Sequence, residues 1–358
     1  VGTARDRLPA VRRERGRITG ALLRFCGSLD AAEEALQEAA TTALVKWREQ
    51  GVPDNPGAWL TTVAKNHARD VRRRRGVAEA HAALFGEDDV QASPDTLETV
   101  RDDFLRLVFT CCHPGLTVES QIALTLKIIA GFSTDEIARA FVCPEATISQ
   151  RILRAKRTIA DDALAYAAPE KSELPARVAG ALGVLYSMFN EGHTSRSGPL
   201  MRLDLQTEAL RLARLLGELV PDDPEVFGLS ALMAFGVARA ATRVDDEGFP
   251  VLLSRQDRSR WDKSVLRDGL LALQRARSLR GRGPYAMQAE IAACHVTSPS
   301  WEATDWSAIA ALYDELLAAS RSPIVALNRA IAVSMRDGPA AGLALLREVE
   351  DPLAHYHL

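Results

Sequence analysis

Apolar residues along this chain recur at i, i+3, i+4 and i+7 in window after window, whereas the strict alternation of a half-buried strand is scarce, so the pattern predicts an all-α protein. Asp30 and Glu33 form a D-x-x-E helix start ahead of Ala35, Leu36, Ala39, Ala40, Ala43, Leu44 and Trp47, an amphipathic stripe. The other face of that helix carries Glu34, Gln37, Glu38 and Thr41. Next, Asn55 as N-cap and Pro56 at the first helical position open a long helix that runs to about Arg75. Within it Leu60, Val63, Ala64, His67 and Val71 fall within about 60° of one direction and predict a core stripe, His67 being a packed histidine. Thr62, Lys65, Asn66, Arg69 and Arg73 share the opposite side, flanked by Trp59 and Asp70. Donors suited to phosphates and base edges therefore lie beside an aromatic ring able to stack, although a solvated basic face explains the same pattern.

Two further helices are expected over Phe104–Cys112 and Thr117–Ala130. Gly131, Phe132 and Ser133 then introduce a short helix with the capping box Ser133-x-x-Glu136, carrying Ile137, Ala138 and Phe141. It stops at Val142–Cys143, and a new helix begins at Pro144 with Glu145 in its first turn. Helix, short turn, helix is the helix-turn-helix pattern. In the second of the pair Ile148, Ile152, Ala155 and Ile159 share one direction and predict a core face. Gln150, Arg154 and Arg157 point the opposite way, with Thr147, Ser149, Arg151 and Lys156 on the flanks. Amide and guanidinium groups so placed suit adenine and guanine edges in a major groove, while Lys156 and Arg151 suit phosphates.

Composition narrows the class. The chain has 358 residues, 47% apolar and 25% charged, enough for two or three domains with real cores. Its longest apolar candidates, such as Ile122 to Phe132, are broken by Lys127 and Gly131 and fall short of the roughly 18 to 20 residues of a membrane span, so no membrane association is expected. Val1 to Arg17 is rich in Arg and shows no secretory signal, which points to the cytoplasm. Five cysteines without CxxC spacing argue for thiols and against a disulfide scaffold or structural zinc. The formal net charge of -3 hides a division. Val1 to Arg75 holds 15 Lys+Arg against 9 Asp+Glu, Gly76 to Val100 holds six acids and no base, and Arg101 to Ala160 holds 8 bases against 6 acids. Two basic modules flanking an acidic segment, with a longer acidic module behind, fit a nucleic-acid-binding front end carrying an appended domain.

Three stretches, AAEEALQEAATTALVKW (Ala31 to Trp47), NPGAWLTTVAKNHARDVRRRR (Asn55 to Arg75) and ALTLKIIAGFSTDEIARAFVCPEATISQRILRAKRTI (Ala123 to Ile159), together resemble bacterial extracytoplasmic-function sigma factors in sequence, order and spacing. That resemblance covers about residues 8 to 165 and implies a domain at 1–75 that binds polymerase and the melted -10 element, an acidic linker at 76–100, and a helix-turn-helix domain at 101–166 that reads the -35 element. It implies core RNA polymerase, through its β′ coiled coil and β flap, and promoter DNA as partners, and no cofactor or metal. By matching positions it places Glu34, Gln37 and Glu38 at the polymerase contact, Trp59, Thr62, Lys65, Asn66, Arg69 and Arg73 near the -10 strand, and Thr147, Ser149, Gln150, Arg151, Arg154, Lys156 and Arg157 at the -35 duplex. AEEALQEA departs from the aspartate and larger apolar residue of many relatives.

Residues 167–358 predict further helices: Leu174–Asn190, Met201–Leu219, Pro224–Ala241, Trp261–Leu279, Pro284–Ala293, Trp306–Ser320, Pro323–Arg336 and Pro339–Glu348. SPIVALNRAIAVSMRDGPAAGLALLREV has the packing alternation and the Asp-Gly-Pro break of a tetratricopeptide-like unit, without a clean period along the region. FNEGHTSRSG, LSRQDRSRWD and GPYAMQAEIAACH resemble the sigma-factor subgroup with a helical-repeat C-terminal extension, which implies regulation of the same chain, with intramolecular contact to the sigma domains one route. Glu191, His193, Arg255, Asp257, Arg258 and Trp261 either converge on a ligand or pair with one another between helices. The rival readings are an operator-binding helix-turn-helix regulator that is not a polymerase subunit, and a hydrolase built on Cys294 with His295 or on Cys111, Cys112 and His113; adjacent helix positions diverge by about 100°, which counts against the hydrolase.

Overall fold

The computed structural model describes residues 4–79, 97–141, 143–161, 172–193, 203–247 and 249–347, and among them the regular structure is helical, with one isolated bridge between Val244 and Pro250. The chain divides into two compact units, Val1–Val184 and Leu185–Leu358.

The first unit begins with α1 (Ala4–Cys26), α2 (Leu29–Gln50) and α3 (Pro56–Glu79), each packed on the other two. Helix α1 was not legible in the pattern, because six arginines between Arg5 and Arg17 dilute its apolar side. Its C-terminal half supplies Ile18, Ala21, Leu22 and Leu23 to the core, all nearly inaccessible. From α2 come Ala32, Ala35, Leu36, Ala39, Ala43 and Trp47, and from α3 Leu60 and Ala64. Three expectations need correction. Leu44 is 43% exposed and faces solvent with Val45. Val63, His67 and Val71 are half-buried where a core stripe was expected. The start of α2 is capped by Ser28, whose side chain accepts from Ala31 N, so Asp30 and Glu33 are released from the D-x-x-E role. Asn55 does cap α3, its Oδ1 accepting from Ala58 N at 3.0 Å.

Next follow α4 (Leu97–Cys111), α5 (Val118–Leu124), a π-helical turn (Thr125–Ile129), α6 (Thr134–Ala140), α7 (Glu145–Asp161) and the first half of α8 (Leu174–His193). The expected helix over Thr117–Ala130 is thus interrupted: the wide turn buries Leu126, Ile128, Ile129 and Ala130 against their surroundings. Ser133 and Glu136 close the capping box in both directions, Glu136 N to Ser133 Oγ at 3.0 Å and Ser133 N to Glu136 Oε2 at 2.7 Å. Helix α4 and the π turn lie against α1. The approach is close because α1 has glycine at 16 and 20: a Cβ on Gly16 would fall 2.6 Å from Phe104 Cε2, and one on Gly20 would fall 2.8 Å from the Asp103 carbonyl oxygen. Arg24 Nε, 2.9 Å from the buried Asp103 Oδ2, closes the same seam.

The second unit contains the rest of α8, then α9 (Leu203–Leu219), α10 (Pro224–Ala238), α11 (Lys263–Ser278), α12 (Pro284–Thr297), α13 (Trp306–Ser320), α14 (Pro323–Asp337) and α15 (Pro339–Arg347). Successive helices pack in pairs, α9 on α10, α10 on α11 and α12, α12 on α13, and so on to α15. The apolar stretch Pro224–Thr242 is long enough to cross a membrane and exceeds those considered from the sequence, yet 61% of it is buried inside the protein. It is the central helix. Gly228 lets it approach α12, where a Cβ would meet Ala286 N at 2.6 Å, and Glu225 accepts hydrogen bonds from Gly283, Tyr285 and Ala286 N–H at 2.8–3.1 Å, capping α12 from another helix.

Candidate nucleic-acid interface

Helices α6 and α7 stand as a helix-turn-helix in which Ile148, Ile152 and Ala155 of α7 are buried, while Ile159, expected with them, is only half-buried near the end of the helix. The outward face presents Ser149, Gln150, Arg154 and Arg157, all exposed, with Thr147 and Arg151 half-buried on the flanks. Arg154 Nη2 lies 3.5 Å from Gln150 Oε1, one turn away, a contact weak enough to exchange for a base edge. Leu153, at the edge of this face, is 47% exposed. The sequence reading passed over it because it is apolar, yet its outward position beside Arg154 and Arg157 was legible and suits contact with a thymine methyl.

Lys156 behaves differently. Its Nζ is 2.6 Å from Asp30 Oδ1 and bonds Glu33 as well, and Glu33 also holds Arg15 at 3.3 Å. Burial pulls the Lys156 pKa down, but the two carboxylates outweigh burial and leave it raised. In this arrangement Lys156 is a clasp between α7 and α2.

On α3, Thr62, Asn66, Arg69 and Arg73 are exposed and Lys65 half-buried. Arg69 Nη1 donates to Asn66 Oδ1 at 3.2 Å and its guanidinium lies 5.5 Å from the Phe25 ring centroid, while Arg73 pairs with Asp70 at 3.6 Å. Trp59 is half-buried and tilted against Trp47, centroids 5.3 Å apart, so one face of its ring is engaged internally. On α2, Glu34, Gln37 and Glu38 are exposed in one band that continues to Leu44 and Val45. Glu34 also lines a shallow cleft with Phe25, Cys26, Ala35, His67 and Val71.

In the second unit Arg255 and Asp257 are exposed, Asp257 being occupied by its own loop through Ser259 N and Oγ at 2.9 and 2.6 Å. Glu191 is half-buried on α8, and the side chain of His193 lies outside the described residues. Arg258 and Trp261 do meet, the guanidinium 4.8 Å above the indole centroid. The five cysteines are free thiols. Burial pushes the Cys112 thiol up to about 12, with a smaller opposing effect from its contact to Thr125, and raises Cys111 and Cys294 too, the reverse of what a nucleophilic thiolate needs.

Sequence comparison supplies the class. Residues 10–77 match Sigma-70 region 2 and residues 106–159 match Sigma-70, region 4, while residues 177–277 match a family of unknown function (DUF6596). An uncharacterized protein of Rhizobium meliloti is 42% identical over 349 residues, 96% of this chain and 82% of that protein. The ECF RNA polymerase sigma-E factor of Haemophilus influenzae is 29% identical over 110 residues, 28% of this chain and 58% of that protein. No solved structure matches. The protein defined by these helices is a sigma factor of the sigma-70 type, a class that works with core RNA polymerase and promoter DNA and is not an enzyme family. Its region 2 and region 4 domains, its similarity to that sigma-E factor and its helical C-terminal extension are consistent with the extracytoplasmic-function group.

Proposed function

We propose that this protein is an alternative sigma factor that binds core RNA polymerase, directs it to one promoter class and helps open the -10 region. The observation that carries the reading is the pairing of two DNA-compatible faces in one chain: the amide and guanidinium face of α7 and the Asn66, Arg69, Arg73 face of α3. Gln150, Arg151, Arg154 and Arg157, with Thr147 and Ser149, take the -35 duplex. Trp59, Thr62, Lys65, Asn66, Arg69 and Arg73 take the -10 strand, and Glu34, Gln37 and Glu38 meet the β′ coiled coil, with the β flap on the helix-turn-helix domain. Segments 1–75, 76–100, 101–166 and 167–358 are the corresponding functional divisions, the last modulating the others.

In vitro transcription with core polymerase is the test. A promoter-specific transcript that depends on the protein is the expected result; no transcript, together with operator binding by the protein alone, would make it a helix-turn-helix regulator instead. For the extension, truncation after Ala168 is expected to change promoter output, and unchanged output with unchanged polymerase affinity would remove the modulatory role.

A further inference from the structure

The C-terminus of α10, the loop before α11 and the end of α12 bring Arg239, Arg258 and His295 together in the second unit, beside the rings of Trp261, Trp301 and Trp306. Arg258 is fixed there. Its Nη1 donates to the carbonyls of His295 at 2.6 Å and Ser298 at 3.0 Å, and its guanidinium lies over Trp261, which is itself anchored by Nε1 to Thr242 Oγ1 at 3.0 Å. The His295 ring is stacked on Trp301, centroids 6.1 Å apart, and meets the edge of Trp306 at 5.3 Å.

What this arrangement leaves unsatisfied is specific. Arg239 Nε, Arg258 Nη2 and His295 Nδ1 are all buried without a hydrogen-bond partner among the described residues. Their charges oppose one another: burial first, then Arg258, lowers Arg239 to about 10, and burial followed by Arg239 and Arg258 lowers His295 to about 4. Glu302 is the carboxylate felt by Arg258, and it is exposed. A withdrawn pair of guanidiniums with orphaned donors is costly by itself, and an oxyanion satisfies such donors strongly, while neutral His295 adds a donor only in the tautomer protonated at Nδ1. Arg239, Arg258 and His295 are each half-buried, so the cluster lies near the surface although the three orphaned atoms themselves are covered. The outward arginines of α3 and α7 differ, since Arg69, Arg73, Arg154 and Arg157 are exposed.

We infer that Arg239, Arg258 and His295 form a binding site for the phosphate or carboxylate group of a small ligand, making the second unit a receiver of a soluble anion. The site does not depend on polymerase or promoter binding.

The test is a titration of the full-length chain with sodium phosphate, and separately with sodium acetate, at constant ionic strength set with sodium chloride, read by tryptophan fluorescence, because three of the five tryptophans border the site. A saturable change beyond that of chloride is expected, with the calorimetric transition raised by roughly 3–6 °C at ten times Kd. A response to phosphate alone identifies a phosphate-bearing ligand; a response to both admits carboxylates. Arg239→Met should abolish the response while leaving the anion-free transition no lower than that of the wild type, which a merely structural arginine would not do. Should that variant fail to fold, His295→Phe keeps the ring stack and is expected to weaken phosphate at least several-fold. No response beyond chloride, or an equal response in the variant tested, overturns the inference.

Discussion

At the scale of single residues, the informative groups are those whose environment contradicts their ordinary chemistry. His295 is the clearest, held neutral by burial and by two arginines so that its pKa falls to about 4. A histidine whose pKa is lower folded than unfolded binds fewer protons in the folded state as pH drops below about 6.5, so folding loses stability from there down to about 4 and is unaffected above. In phosphate-free buffer the transition of the wild-type chain should therefore weaken by about 1 to 3 kcal/mol between pH 7 and pH 4 on account of this residue. His295→Phe should remove that component, which thermal unfolding at both pH values would measure; an identical pH slope in the variant contradicts the assignment. Lys156 has partners that its sequence position does not reveal. Its position on the flank of α7 suits a phosphate, but position on a helix says nothing of what another helix brings up to it, and here α2 brings Asp30 and Glu33.

At the scale of elements, local signals account for most of the helices and long-range packing for the exceptions. The capping box at Ser133 was legible because both of its hydrogen bonds join residues three apart, and it sets the geometry of the helix-turn-helix by fixing where α6 starts. Ser133→Ala should cost about 1 kcal/mol, and because it shifts α6 rather than α7 the loss should appear in thermal stability with the outward face of α7 unaltered; a loss above about 3 kcal/mol would mean the box carries tertiary structure as well. By contrast α1 was not read, since its arginines mask a core half that only α2, α3 and α4 reveal. At the start of α2 Ser28 and Asp30 are both competent caps; Ser28 takes that position, while Asp30 lies inside the first turn and pairs with Lys156, 126 residues away. Likewise the outward direction of Gln150, Arg154 and Arg157 followed from helical period alone, whereas the Arg239, Arg258 and His295 cluster joins three segments with no common period and only packing exposes it.

At the scale of the whole molecule, the net charge of -3 gives no hint of nucleic-acid binding, yet the charge is divided along the chain and the first unit uses that division internally. Its clasp joins the acidic start of α2 to the basic flank of α7, and the glycines of α1 with Arg24 and Asp103 seal the neighbouring seam. A lysine held by two carboxylates is withdrawn from any phosphate, and the same carboxylates repel the DNA backbone, so free protein should bind duplex DNA weakly. Removing both acids as Asp30→Asn with Glu33→Gln releases Lys156 and reduces repulsion together. Glu34→Gln with Glu38→Gln changes the net charge equally on the same helix without touching Lys156, and so isolates the clasp. Fluorescence anisotropy with a labelled duplex should show several-fold tighter binding for the first pair than for the second. The salt slope should also steepen by about one to two for the first pair only, as Lys156 and Arg15, which Glu33 also holds, become able to neutralise further phosphates. Equal gains in both variants would mean that Lys156 contributes no DNA contact when freed and that overall charge alone governs the affinity of the free chain.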